Sequence, residues 1–275
     1  MTKLKPIHWL AIAATLLLTV LLFFAPKMGE LHKTETANNS AKVFDIQHYT
    51  DSVKLKLDTK TQALILTQQS IIDGNEPNNT FAFDSLSKIY MLQRLPVLAA
   101  FVKVRKAKAT NAQIDLAAAA DECYKASKFV AGNEQAFLME NAIDCYKLVL
   151  EKDTSNLDYK TNLGICYVEG SREPMQGIMM LRSVVAKDST NLKAQLSLGM
   201  FAIQSGQNDK AITRFNKIIV MHPQYAESYL YLAQAYTNVG NKQMAIKSLE
   251  NFKKVNTDKT VETEIDNYIQ ELTTK

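Results

Sequence analysis

A chain of 275 residues is long enough for one extended domain or two compact domains. Its composition, 47% hydrophobic and 22% charged, is ordinary for a folded protein. A net charge of +4 is too small to indicate nucleic-acid binding, which normally requires a concentrated basic face. We interpret the one basic cluster, KVRKAKA from Lys103, as the solvated end of a helix rather than a phosphate or lipid site.

The N-terminus contains an apolar segment over residues 7–25, IHWLAIAATLLLTVLLFFA, that has no charged side chain. As a helix with about 1.5 Å rise per residue it would be close to the thickness of a hydrocarbon core. It therefore predicts a transmembrane anchor. Lys3 and Lys5 predict that the short tail, residues 1–6, stays cytoplasmic, although Lys27 and Lys33 leave the orientation open.

A cleaved secretory signal is the competing interpretation of this segment. Phe23 is bulky where a small residue is needed, and Pro26 stands where cleavage would fall, so an uncleaved anchor is favoured. The three cysteines, Cys123, Cys145 and Cys166, give no disulfide framework or metal motif. A single bridge between Cys123 and Cys145 stays open for an extracytoplasmic domain.

The segments that follow differ in composition. Residues 26–42 are polar and predict a tether, and residues 43–80 predict a helical segment that ends in the break DGNEPNN. No strand alternation follows, so an all-α fold is expected. Residues 81–257 predict helical repeats, degenerate before 115 and clear from 156, and residues 258–275 predict a capping helix.

The repeats are identified by a small residue near the start of each second helix and a large apolar residue four positions later. The small residues lie 35, 34 and 34 positions apart. They are Ala142, Gly177, Ala211 and Ala245, followed by Tyr146, Leu181, Phe215 and Leu249. In the repeat around Ala142, the residues 131–140 (AGNEQAFLME) are expected to form a longer loop between the two helices.

This pattern resembles the tetratricopeptide repeat (TPR), a helix–turn–helix unit of about 34 residues. The positions that carry the resemblance are Leu163, Gly164, Tyr167, Gly199, Ala211, Phe215, Pro223, Tyr229, Leu232, Tyr236 and Ala245. The resemblance implies a solenoid of helical hairpins with an extended surface. Phrases such as LMENAIDCYKLVLEKD are also similar to membrane-anchored envelope TPR proteins of a Bacteroidota group, which implies a bacterial inner membrane with the repeats in the periplasm.

No catalytic or metal-binding constellation is present in the sequence. The four histidines are scattered, and the chain lacks a phosphate-binding glycine loop and a nucleophile elbow. We therefore expect no enzyme activity, no cofactor and no metal.

The TPR resemblance implies a partner groove lined by the first helix of each repeat. The groove positions are Asp158, Thr161, Asn162, Ile165, Lys193, Leu196, Met200, Ile203, Glu227, Leu230, Tyr231 and Gln234. Thr161, Leu196 and Leu230 stand where some TPR domains have a lysine that binds a peptide carboxylate, so that mode of capture is not expected. The apolar members predict either an adaptable groove or packing between repeats, and residues 44–72 are a candidate occupant.

The leading functional hypothesis is a non-catalytic membrane-anchored scaffold that recruits a protein or peptide partner at the cell envelope. The alternatives are an accessory factor for envelope-protein maturation and an anchored receptor that faces the cytosol. The sequence does not determine the oligomeric state.

Overall fold

The computed structural model describes residues 44–74 and 79–274. The expected cytoplasmic tail (1–6), transmembrane anchor (7–25) and tether (26–42) lie outside the described residues. Within the described ranges, no helix combines the length and the apolar character needed to cross a bilayer.

The described residues form thirteen α-helices and one short 3-10 helix, without a strand. The helices are α1 (Ile46–Lys54), α2 (Thr59–Asp73), α3 (Thr80–Leu92), α4 (Pro96–Thr110), α5 (Gln113–Ala126), α6 (Asn133–Lys152), α7 (Leu157–Gly170), α8 (Pro174–Lys187), α9 (Leu192–Gln204), α10 (Asn208–Met221), α11 (Glu227–Asn238), α12 (Lys242–Val255) and α13 (Glu262–Thr274), with the 3-10 turn at Lys259–Val261.

Local sequence signals explain where the helices start and stop. The side chains of Asn156 and Asn191 cap α7 and α9 by accepting hydrogen bonds from backbone N–H groups of the first turn. Pro174 occupies the first position of α8, where its missing N–H costs nothing. Gly206 and Gly240 adopt φ angles of 73° and 76° in the turns after α9 and α11, a conformation that favours glycine.

The helices from α3 to α12 pair into five hairpins: α3–α4, α5–α6, α7–α8, α9–α10 and α11–α12. Each first helix carries a small buried residue where the second helix crosses it. These residues are Ser87, Ala120, Gly164, Gly199 and Ala233. The helical repeat implied by the TPR resemblance is therefore present, and it includes the first hairpin, α3–α4, where the sequence pattern is degenerate.

The close approach of the paired helices explains why the position must be small. A Cβ atom at Gly199 would lie 2.6 Å from the ring of Phe215, and one at Gly164 would lie 3.0 Å from Leu181. In the first hairpin, the Ser87 hydroxyl donates a hydrogen bond to the Ala99 carbonyl (3.1 Å), so the same crossing is made by a polar contact.

The other signature residues are mainly interior. Leu163, Tyr167, Ala211, Phe215, Tyr229, Leu232 and Ala245 are buried. Tyr236 is half-buried between the last two hairpins, and Pro223 is exposed, with its carbonyl accepting a hydrogen bond from the Tyr229 hydroxyl (3.0 Å). These residues hold the stack together and leave its surface to other positions.

The expected loop over residues 131–140 is wrong, because α6 already begins at Asn133. Ala142 consequently lies in the middle of α6, whereas Gly177, Ala211 and Ala245 are each the fourth residue of their helix. Leu138 and Met139 provide the physical reason: both are buried, so burial of their apolar surface stabilises the additional N-terminal turns.

The first two helices pack against the N-terminal hairpins. The Phe44 ring lies 5.1 Å from the Phe137 ring of α6, and Ile65 of α2 is buried beside residues of α3 and α4. None of the described residues before α3 belongs to the clusters that contain Leu196, Met200 or Tyr231. Residues 44–72 therefore do not occupy the expected groove of the later repeats.

Three of the four basic residues in the cluster on α4 pair with carboxylates from three other helices. Lys103 pairs with Glu122 (2.7 Å), Arg105 with Asp73 (2.8 Å), and Lys106 with both Asp84 (2.9 Å) and Asp115 (3.4 Å). The cluster thus links α4 to α2, α3 and α5 instead of forming a free basic surface.

At the other end, α13 covers the last hairpin. Ile265, Tyr268 and Ile269 pack beside Leu249 and Leu230, and Leu272 is buried. The outer side of α13 is polar, as a terminal element of an open stack requires.

Candidate protein-interaction surface

The twelve predicted groove residues lie on the first helices α7, α9 and α11, but their exposure differs widely. Of the twelve, Asp158, Lys193 and Glu227 are exposed. The buried members are Thr161 and Ile165. The half-buried members are Asn162, Leu196, Met200, Ile203, Leu230, Tyr231 and Gln234.

Thr161 and Ile165 belong to the interior, so their assignment to a partner groove is wrong. The Thr161 hydroxyl donates a hydrogen bond to the Leu157 carbonyl (2.7 Å). Ile165 packs in one cluster with Leu181 and Leu198, at the junction of the third and fourth hairpins. The approach of the next hairpin covers the Ile165 side chain.

The apolar members on α9 and α11 mainly join neighbouring hairpins. Leu196, Met200 and Ile203 pack against a cluster that contains Phe215 of their own hairpin and Leu232 of the next one. The Tyr231 ring stacks on the Phe215 ring at 5.4 Å with 19° between the planes. Packing with α13 partly covers Leu230. Of the two alternatives for these residues, the structure therefore favours packing between repeats.

A polar contact crosses the same face. The Lys193 ammonium of α9 donates a hydrogen bond to the Asn162 side-chain oxygen of α7 (2.5 Å), and both groups remain accessible to solvent. Burial and the charge of Glu227 raise the pKa of Tyr231, so its hydroxyl stays neutral at physiological pH.

Two exposed apolar side chains at the start of first helices escaped the sequence analysis. Phe81 of α3 and Ile114 of α5 are 77% and 78% exposed, and each precedes the small residue of its helix by six positions. Asp158, Lys193 and Glu227 occupy this position in the later hairpins. Aligning Ser87 and Ala120 with Gly164 in the sequence would have identified Phe81 and Ile114 as the equivalent positions.

The second helices also present apolar surface. Met175 and Met179 of α8 are 63% and 67% exposed, although α8 packs through Gly177 and Leu181 on its other side. Because Met175 and Met179 are four positions apart on one helix, they lie side by side, and this exposed apolar surface is a candidate contact site for another macromolecule.

The three cysteines are buried free thiols in one cluster. Burial raises the pKa of each thiol, to about 11 for Cys145, to about 12 for Cys166 and well above the ordinary value for Cys123. The thiols are therefore uncharged and act as small apolar core residues at neutral pH.

In the part of the chain that the structure describes, no group of three or more His, Cys, Asp or Glu side chains is placed to hold a metal ion. An open cleft between α12 and α13 is lined by Glu250, Lys253, Lys254 and Glu262. Lys253 pairs with Asp266 across it (2.5 Å), so this cleft is a polar seam between the last hairpin and the cap.

Comparisons with known proteins give similarity only at the level of solved structures. No protein-family model and no curated protein matches the chain. The crystal structure of MamA protein has a TM-score of 0.47 and 20% identity, covering 64% of this chain and 91% of that one. YrrB, described as a TPR protein with an unusual peptide-binding site, has a TM-score of 0.47 and 15% identity, covering 74% of this chain and 97% of that one.

A third similar structure is MamA 41-end from Desulfovibrio magneticus RS-1, with a TM-score of 0.49 and 14% identity over 66% of this chain and 96% of that one. At these levels of similarity, the function of this chain has to be argued from its own residues.

Proposed function

We propose that this protein is a non-catalytic, membrane-anchored scaffold that recruits a protein partner at the bacterial cell envelope. The observation that carries the proposal is the placement of large apolar side chains outside the positions that stack the repeats. Phe81, Ile114, Met175 and Met179 are all more than half exposed, on an architecture whose product is extended surface.

The anchor part of the proposal is supported by the sequence of residues 7–25, which is long and apolar enough to span a bilayer as a helix. Attachment to a membrane raises the local concentration of a weakly bound partner. Lys3 and Lys5 favour a periplasmic location for the repeats, and the similarity of several phrases to envelope TPR proteins favours the bacterial inner membrane.

The location is tested by fusing alkaline phosphatase, which folds to an active enzyme only outside the cytoplasm, after Lys275. The matched control is a fluorescent protein that matures in the cytoplasm, fused at the same residue. Active phosphatase with a dark fluorescent fusion supports the periplasmic placement. The opposite pair of results supports the cytosol-facing receptor, and the release of a shortened soluble chain supports a cleaved signal.

The recruiting role is tested by photo-crosslinking from the exposed positions Ile114 and Met179 in intact membranes. These sites are better probes than Met200 or Tyr231, which are half-buried between hairpins. A scaffold crosslinks to one folded partner in constant ratio, whereas a maturation factor crosslinks to many newly made chains. If neither position yields a protein adduct, the recruiting role is rejected.

A further inference from the structure

The exposed face of α8 combines apolar and cationic side chains. Met175, Met179 and Arg182 follow one another at spacings of four and three residues, which places them on one side of the helix. All three are exposed, while Leu181 on the opposite side is buried. This face therefore points away from the repeat core.

Arg214, on the next second helix, α10, is held in place by a buried amide. Its guanidinium Nη1 donates a hydrogen bond to the Gln195 Oε1 (2.8 Å), and the Gln195 Nε2 donates to the Ser189 carbonyl (3.2 Å). Gln195 is only 1% exposed, so its amide has a fixed orientation. Arg214 is itself half-buried, and its hydrogen bond to Gln195 fixes the position of its guanidinium group.

The two arginines are close enough to repel each other. Burial and the positive charge of Arg182 both lower the pKa of Arg214, which nevertheless stays protonated at neutral pH. Within the described ranges, neither arginine forms an ion pair, whereas Lys103, Arg105 and Lys106 on α4 do. Asp188, in the turn after α8, accepts hydrogen bonds from Thr190 instead.

A half-buried charge beside a like charge is unfavourable unless an anion approaches it. A carboxylate suits this arrangement because guanidinium groups bind carboxylates through paired hydrogen bonds. The adjacent methionines suit apolar side chains of varied shape, because the thioether is flexible and polarisable. A free phosphate ion makes no use of the methionines, whereas a polypeptide with acidic and apolar residues uses both features.

We propose that Met175, Met179, Arg182 and Arg214 form a docking site for an acidic, partly apolar segment of a protein partner. The inference rests on the proposed recruiting function and adds to it the chemistry of the partner and the face that it binds. A carboxylate of the segment binds between the two guanidinium groups, and its apolar side chains cover the two methionines.

The test places a photo-crosslinking residue at Met179 of the full-length chain in its membrane and compares it with the same chain carrying R182E and R214E. We expect a protein adduct whose crosslinked segment contains Asp or Glu, and a reduction of at least about tenfold in the double variant. Changing the partner's acidic residue to arginine should restore the adduct with the double variant. The control K242Q/K247Q removes two exposed charges from α12 and should change the yield by less than about twofold.

A direct measurement uses a labelled glutamate–leucine copolymer and the full-length chain in nanodiscs. Fluorescence anisotropy should show binding that weakens at least about tenfold in R182Q/R214Q and little in K242Q/K247Q. Arg182 is exposed, so R182Q alone leaves the fold intact and should weaken binding measurably; the unfolding midpoint is recorded for every variant.

The outcomes separate the two proposals. An adduct at Ile114 combined with an adduct at Met179 that is absent, or unaffected by R182E/R214E, overturns the docking site but leaves the recruiting function. A phospholipid or a second copy of this chain as the only adduct at Met179 also overturns the docking site. Absence of protein adducts at both positions overturns the recruiting function itself.

Discussion

The two faces of the last three hairpins use similar apolar side chains for different purposes. On the first helices, Leu196, Met200 and Tyr231 are partly covered because neighbouring hairpins pack through them. On α8, Met175 and Met179 remain exposed beside an uncompensated arginine. The comparison teaches that lying on the expected groove face does not make a residue available to a partner.

The largest expected effect tests the face that stacks the repeats. Phe215→Ala removes a fully buried ring that fills the space above Gly199 and stacks on Tyr231. We expect the free energy of unfolding to fall by about 3–5 kcal/mol in urea denaturation. Thr213→Ala, at an exposed position of the same helix, is the control. A loss below about 1 kcal/mol for the Phe215 variant would show that the hairpin tolerates the cavity.

The crossing of α7 and α8 should resist even one additional methyl group. In Gly177→Ala the new Cβ would meet the Gly164 carbonyl and the side chains of Val168 and Tyr167. Because a backbone oxygen cannot move aside cheaply, we expect a loss of about 1–3 kcal/mol. Gln176→Ala, at the exposed neighbouring residue, provides the baseline. Equal stability of the two variants would contradict the close approach.

Truncating one methionine on each face compares directly how much the two faces contribute to the free energy of unfolding. Met200→Ala should lower the free energy of unfolding by about 1–2 kcal/mol, since the side chain is half-buried between hairpins. Met179→Ala should change it by less than about 0.5 kcal/mol because that side chain is exposed.

Partner binding should show the reverse order for the two methionine variants. Crosslinking from Ile114 measures it without altering either methionine position. The distinction between the faces fails if Met200→Ala reduces binding without reducing stability.

The smallest expected effect is on the titration of the buried thiols, which stay protonated at neutral pH and differ from exposed thiols only in alkaline solution. Thiolate absorbance of the folded chain should stay low at pH 9 and rise toward pH 11–12, following the raised pKa values of about 11 for Cys145 and about 12 for Cys166. In denaturant the titration should return to the ordinary value near 9.0. Because the folded pKa exceeds the unfolded one, the associated stability is complete below pH 9 and is lost as pH rises through 11–12. Thiolate at pH 9 in the folded chain would contradict this burial.

The last three hairpins could be predicted from the sequence because their helix crossings use residues, such as glycine, that are uncommon elsewhere in helices. Gly164 and Gly199, each facing a large apolar residue of the second helix, are 35 positions apart, and Ala233 follows after another 34. Ser87 and Ala120 have the equivalent role, yet serine and alanine are common at many helix positions. The spacing of 44 residues from Ala120 to Gly164 also breaks the period, whereas the 33 residues from Ser87 to Ala120 nearly match it.

Two features were harder to predict for physical reasons: the residue at which α6 begins and the exposure of the groove residues. Gly132 and Asn133 resemble a loop locally, and only the burial of Leu138 and Met139 shows why the helix extends to them. For the groove, the repeat register identifies a helix face but not how closely the next hairpin approaches it. Arg214 was missed because its significance depends on Gln195, from a different helix, and on the absence of a carboxylate partner in the described structure.

The near-constant spacing of Gly164, Gly199 and Ala233 has a consequence for how such a chain can lengthen. Each of these hairpins contacts mainly the one before and the one after it, while the N-terminal helices and α13 close the two ends. If the α9–α10 segment were duplicated in tandem, the additional hairpin would pack against hairpins similar to those that α9–α10 contacts now. The reach of the molecule is thus adjustable in steps of one hairpin, with α1, α2 and α13 unchanged.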